Sequence, residues 1–148
     1  MVWGSFAATG RSSLVFVPVG KTVNAEVYLN MLKDRLERTM TILDCSVFQQ
    51  DSASCHTAKT VTNWMKSCGI QLLDWPGNSP DLNRIKNLWP IMKRRVRRYY
   101  PKNLQDLQYW IKRVWINEIT ADVCQKLVAS MPKRIQIVLR NKGQMSKY

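Results

Sequence analysis

Two short apolar stretches flanking one helix-length segment constrain this chain's fold more than any other feature. Cys45 to Gln50 runs into Asp51, Ile70 to Leu73 runs into Asp74-Trp75-Pro76, and Ala58 to Cys68 between them carries a helical pattern. A strand that returns to its neighbour through a helix pairs with it in parallel, so the three segments predict a crossover unit in an α/β sheet. Upstream, Met1 to Phe6 and Leu14 to Val19 are apolar stretches separated by Ala-Thr-Gly-Arg-Ser-Ser, the pattern of an antiparallel hairpin. Between hairpin and crossover, Val27, Tyr28, Leu32, Leu36 and Met40 recur about every fourth residue, with Asn24 placed to cap and Glu26 in the first turn. That predicts a helix from Asn24 to Met40.

Downstream of the turn-rich stretch WPGNSPDLN the chain reads as helical to its end. Ile85, Leu88, Trp89, Met92 and Val96 fall on one face of an Arg84 to Arg98 helix, and Lys93, Arg94, Arg95, Arg97 and Arg98 fall mostly elsewhere. Pro90 inside this pattern predicts a kink, or a break after the first turn. Leu104 to Trp115, Ala121 to Ala129 and Pro132 to Arg140 predict three more helices. The 148 residues suit a single domain, 1–148, with a basic helical portion from 84 to 148.

Charge separates the two halves. Residues 1–83 hold seven Lys/Arg and seven Asp/Glu, whereas residues 84–148 hold sixteen against three, so the second half carries the whole net charge of +13. Such a field attracts polyanions and favours phosphate contacts through counterion release, which makes nucleic acid the expected partner. The five cations at 93, 94, 95, 97 and 98 are the compact candidate contact, and the same KRRVRR run has the composition of a nuclear-import signal.

Other classes find less support. The longest apolar run, Leu14 to Val19, contains a proline and falls far short of the ~20 residues that span a bilayer, so no membrane partner is expected. The opening residues lack the layout of a secretory leader, which predicts an intracellular protein. Cys45, Cys55, Cys68 and Cys124 form no CxxC pair and are expected to remain thiols. His56 beside Cys55 carries no nucleophile signature, because adjacent residues seldom present their side chains to each other. The six tryptophans fall mostly on apolar faces and read as core, with Trp75 the one placed to line a cleft.

The ordered motifs lift the reading above a basic α/β domain. Val47-Phe-Gln-Gln-Asp51, then His56, then Asp74-Trp75-Pro76, Ser79-Pro-Asp-Leu-Asn83 and Asn83-Arg-Ile-Lys86-Asn87-Leu-Trp89 resemble the mariner-superfamily transposases, in which QQD, a histidine, DWP, SPDLN and N-x-I-E-N-L-W occur in this order. The opening MVWG, the VYLNML helix and the closing SMPKRIQIVLRNKG are similar to the same family. The resemblance implies a ribonuclease H-like mixed sheet flanked by helices, with a helical C-terminal part. It also implies a DDE endonuclease site in which three carboxylates hold two Mg ions for DNA transposition and integration, one ion activating the attacking oxygen and the other the leaving oxygen.

On that pattern Asp51 matches the second carboxylate, at the C-terminal end of a predicted parallel strand, where ligand sites gather in open α/β sheets. Lys86 stands where the third acidic residue belongs, with thirty-four residues between it and Asp51, the separation used by the subgroup with a glutamate. An ammonium has no lone pair to give a metal. Asp74 and Asp81 are nearby carboxylates, the latter belonging to the turn in the family pattern. The first aspartate belongs on a central strand expected before Met1, so this chain is expected to lack that strand and to be prone to self-association through unpaired edges.

Three functions fit these residues. The first is a catalytically inactive transposase-derived domain that still binds nucleic acid without reading sequence. The second is a non-enzymatic protein-interaction or structural relic, and the third is a metal-dependent nuclease completed by carboxylates from elsewhere. Of the site residues only Asp51 is a metal-ligand and catalytic candidate in its family position, so enzymatic activity is not expected.

Overall fold

The computed structural model describes residues 1–74 and 79–143. They form two compact units, one built from 1–4, 15–74 and 79, the other from 5–14 and 80–143.

In the first unit, β1 (Val2–Trp3) pairs antiparallel with β4 (Val15–Phe16), Val2 opposite Phe16 and Trp3 opposite Val15. Helix α1 (Ala25–Ile42) begins at the expected cap, since Asn24 Oδ1 accepts from the backbone N–H of Val27 at 2.9 Å. It ends with Asp44 at φ 51°, the N–H of Cys45 reaching back to the carbonyl of Met40, which closes the last turn. β5 (Val47–Phe48) and β6 (Gln71–Leu72) pair in parallel, Val47 opposite Gln71 and Phe48 opposite Leu72, and α3 (Lys59–Ser67) makes the crossover. Gly69 at φ 66° ends α3 the same way, Ile70 N–H bonding Met65 O at 2.9 Å. A short α2 (Ser54–Thr57), not anticipated from the sequence, follows Asp51. Tyr28, Met31, Leu32 and Leu36 of α1 bury against Val61 and Met65 of α3 and Val17. The parallel crossover and the capped helix are therefore as expected, with each strand shorter.

In the second unit, β2 (Phe6–Ala7) and β3 (Gly10–Arg11) form a tight antiparallel hairpin, Phe6 opposite Arg11. The remainder is helical: α4 (Ile85–Arg97), α5 (Leu104–Asn117), α6 (Ala121–Ala129) and α7 (Met131–Arg140). Leu88, Met92 and Val96 of α4 cluster with Val114 and Trp115 of α5, Ile119 and Cys124, and Phe6 and Leu14 pack against them. Fully burying one such side chain contributes on the order of 1.5–3 kcal/mol. The helix runs on through Pro90, so of the expected kink or break the break does not occur. Pro90 is the sixth residue of α4, so the ring withholds only the bond that would return to Lys86, while the apolar stripe from Leu88 to Val96 holds both sides together.

The hairpin segment is tied into this unit from several sides. Trp115 Nε1 donates to the carbonyl of Ser12 at 2.7 Å, and the Arg11 guanidinium donates to the carbonyls of Trp115 and Ile116. Ser12 Oγ also accepts from the backbone N–H of Ser5 at 2.8 Å.

Candidate functional site

Asp51 follows β5 with its side chain about one-third exposed (36%), and its surroundings derive from the residues on either side. Gln50 lies between two partners: its Oε1 accepts from the Tyr28 hydroxyl at 2.8 Å and its Nε2 donates to the His56 carbonyl at 3.0 Å. This amide thereby links α1 to α2. Asp51 Oδ1 accepts from the backbone N–H of Ala53 at 3.3 Å, turning the chain into α2. The turn brings His56 Nδ1 to 2.7 Å from the same Oδ1. That contact is one of proximity, since the buried Nδ1 has no directed hydrogen-bond partner among the described residues. The His56 ring lies over Tyr28, centroids 4.1 Å apart at 33°, and burial pushes the Tyr28 phenol well above its ordinary value. His56 is thus set by Asp51 and Tyr28 rather than by its neighbour Cys55.

Lys86 lies exposed in the first turn of α4, its backbone N–H bonded to Asn83 O at 3.0 Å. Behind it, Asp81, Asn83 and Arg84 are all buried. Arg84 Nη1 reaches Ser130 Oγ at 3.4 Å, while its Nη2 is buried without a partner among the described residues. Burial, aided by the nearby Arg134 charge and opposed by Asp81, pulls the Arg84 pKa down to about 10. Arg134, also buried, is better satisfied, donating through Nε to Ser130 Oγ and through Nη1 to the Asp81 carbonyl, both at 3.1 Å. Asp81 belongs to this buried cluster, and Asp74 is exposed after β6.

A two-metal centre needs several hard oxygen donors aimed at one point. The donors among the described residues do not make up such a set. Asp51 is engaged by His56, Lys86 presents an ammonium, and among the described residues no three His, Cys, Asp or Glu gather closely enough to hold an ion.

The basic residues of α4 divide into two kinds. Lys93, Arg94, Arg97 and Arg98 are exposed. Arg95 is only 21% exposed; its Nη1 donates to the carbonyl of Glu118 and its Nε stands 3.8 Å from the Glu118 carboxylate. Beside this face lie aromatic residues that the helical pattern hid. Tyr99 stacks on Trp110 with centroids 3.9 Å apart at 7°, and Tyr109 meets Trp110 edge-on at 5.1 Å. Of the tryptophans read as core, Trp115 alone among the described residues is fully buried, and Trp75 falls outside them.

Together the parallel crossover and its flanking helices are those of a ribonuclease H-like α/β domain. The structure superposes on the Mos1 transposase catalytic domain solved with raltegravir and Mg at a TM-score of 0.84 and 18% identity, covering 99% of this chain and 76% of that one. It superposes on the Mos1 strand transfer complex at 0.83 and 18% identity, covering 99% and 43%. Residues 2–108 match the DDE superfamily endonuclease family, and the chain belongs to that family, within its mariner-type transposases. It is 34% identical to the Tcb2 transposase and 36% identical to the Tcb1 transposase of Caenorhabditis briggsae, each over 154 aligned residues. With the Tc1 transposase of Caenorhabditis elegans the identity is 32% over 151 residues. All of this chain aligns in each case, and it spans about half of those relatives, 54% of their length.

Proposed function

We propose that this chain is a transposase-derived DDE endonuclease-like domain that does not cleave DNA and that holds nucleic acid without reading its sequence. One observation carries the loss of cleavage: position 86, in register with the family's third acidic residue, is lysine. Whatever supplies the remaining ligands, this helix brings a cation where Mg needs an oxygen. Retained binding is supported by the exposed Lys93, Arg94, Arg97 and Arg98 along one helix, which can meet phosphates but present no pattern for base edges. The complexes of Mos1 with transposon ends add support for DNA as the polyanion. The same basic run suits nuclear import, and we place the protein's work in the nucleus.

The test has two arms. Supercoiled plasmid incubated with the chain and Mg or Mn should remain uncut, and metal-dependent nicking that disappears in Asp51→Ala would overturn the inactive reading. Duplex DNA should be bound with an affinity that falls steeply with salt. Absent or salt-independent retention would overturn the binding reading.

A further inference from the structure

The surface where α4 hands over to α5 is unusual in chemistry and in backbone. Tyr100 is 82% exposed, Tyr109 52% and Tyr99 41%; Tyr99 and Tyr109 contact Trp110, and Tyr100 follows Tyr99 in the chain. Tyr100 also has φ 46°, a left-handed conformation that glycine adopts freely and a bulky side chain rarely does. Its ring is almost fully solvated, so burial does not compensate this backbone. Pro101 follows, which stops the helix and holds the turn in place. Exposed cations adjoin the rings: Arg97 and Arg98 precede them, Lys102 follows, and Arg98 and Arg113 lie close enough to Tyr99 for their charge to bear on its hydroxyl.

Four aromatic rings with solvent-facing area, bordered by cations, suit a ligand that is at once planar, apolar on its faces and anionic along its backbone. Duplex DNA offers the anion but keeps its base faces stacked inside. We infer that Tyr99, Tyr100, Tyr109 and Trp110 form a stacking platform for the unpaired bases of single-stranded nucleic acid, with Arg98, Lys102 and Arg113 holding its phosphates. Stacking of this kind is tolerant of sequence, because every base has a π-face. This deepens the proposed nucleic-acid binding by naming the form of nucleic acid the surface selects.

The experiment compares the full chain with the double variant Tyr100→Ser/Tyr109→Ser, both positions exposed enough to leave the fold intact, which circular dichroism verifies. Affinities are measured for a fluorescent oligothymidylate and for a duplex of the same length across a salt series. The platform predicts a loss of roughly tenfold or more on the single strand, less than twofold on the duplex, and an unchanged salt slope on both. Equal losses on both forms, or none on the single strand, would overturn the platform while leaving duplex binding by α4 standing. Failure of the unaltered chain to bind either form overturns both readings. A variant with Lys102→Gln and Arg113→Gln should instead flatten the single-strand salt slope, and an unchanged slope there removes those two cations from the site.

Discussion

Arg95 donates through Nη1 to the backbone carbonyl of Glu118, and its Nε stands 3.8 Å from the same residue's carboxylate. One side chain of the basic run therefore anchors α4 to the end of α5, where the Glu118 carboxylate also accepts from the Tyr99 hydroxyl at 3.0 Å. Charge alone makes Arg95 the equal of its neighbours; its contacts do not.

The variant Arg95→Gln should accordingly lower stability by about 1–2 kcal/mol, the scale of a part-buried hydrogen bond to a charged donor, and hardly change the salt dependence of DNA binding. Replacing Lys93, Arg94, Arg97 and Arg98 with glutamine should do the reverse, reducing the slope of log affinity against log salt by about one for each phosphate that is no longer neutralised. Denaturant titrations and binding at several salt concentrations separate the two. A steep slope that survives the fourfold change would place the phosphate-binding residues elsewhere.

Strain at Tyr100 predicts a stabilising substitution. Tyr100→Gly removes a left-handed cost of roughly 1 kcal/mol and forfeits little buried surface, since the ring is 82% exposed. Thermal unfolding should shift upward by about 2–4 °C. A lower midpoint would mean that the ring makes a stabilising contact after all.

Stability at high pH should depend on Tyr28. Its phenol ionises at an ordinary 10.0 when unfolded and well above that when buried, so between those values the folded state binds the extra proton. The contribution is complete below pH 10 and is lost as pH rises further. In Tyr28→Phe the fall of unfolding free energy above pH 10 should be shallower by up to roughly 1.4 kcal/mol per pH unit. Identical slopes in the two proteins would show that this phenol ionises without unfolding.

Restoring one carboxylate should not restore cleavage. In Lys86→Glu the new acid joins a chain whose Asp51 already faces His56 at 2.7 Å, and a two-metal site needs more donors than these. Plasmid nicking with Mg or Mn should stay at background, and metal-dependent nicking would show that position 86 alone had silenced the site.

How far the sequence foretold these features follows from the range of the forces involved. Helix α1 and the parallel crossover were legible because their apolar spacing and Asn24 cap are local. Met31 escaped a reading built on every fourth residue, yet it fills the neighbouring position of the same stripe. The four residues of α2 carry no period. Arg84 and Arg134 belong by composition to the solvated basic half, and only tertiary packing buries them against Asp81 and Ser130. Asp51 and Lys86 were singled out by motif order, whereas the pairing of Tyr99 with Trp110 spans a helix boundary that periodicity does not cross.

The two buried arginines differ in how well they are satisfied. Among the described residues Arg84 has no partner for Nη2 and makes hydrogen bonds of 3.4–3.5 Å, while Arg134 makes two bonds of 3.1 Å. Replacement of an ill-satisfied buried cation by an apolar side chain is often neutral or stabilising, so Arg84→Met should cost less than Arg134→Met. Chemical denaturation of both variants checks the order, and a larger destabilisation at Arg84 would refute it.

The allotment of residues 5–14 to the helical unit makes the chain difficult to take apart. A protease cutting near residue 79 would sever the backbone without yielding two self-sufficient fragments. The piece from 80 onward would leave behind Phe6 and Leu14, which pack on its core, and the Ser12 carbonyl that receives Trp115. Nicked halves should therefore stay together on a sizing column until denaturant is added, and a gene fragment beginning after position 79 would encode a helical bundle with an open seam.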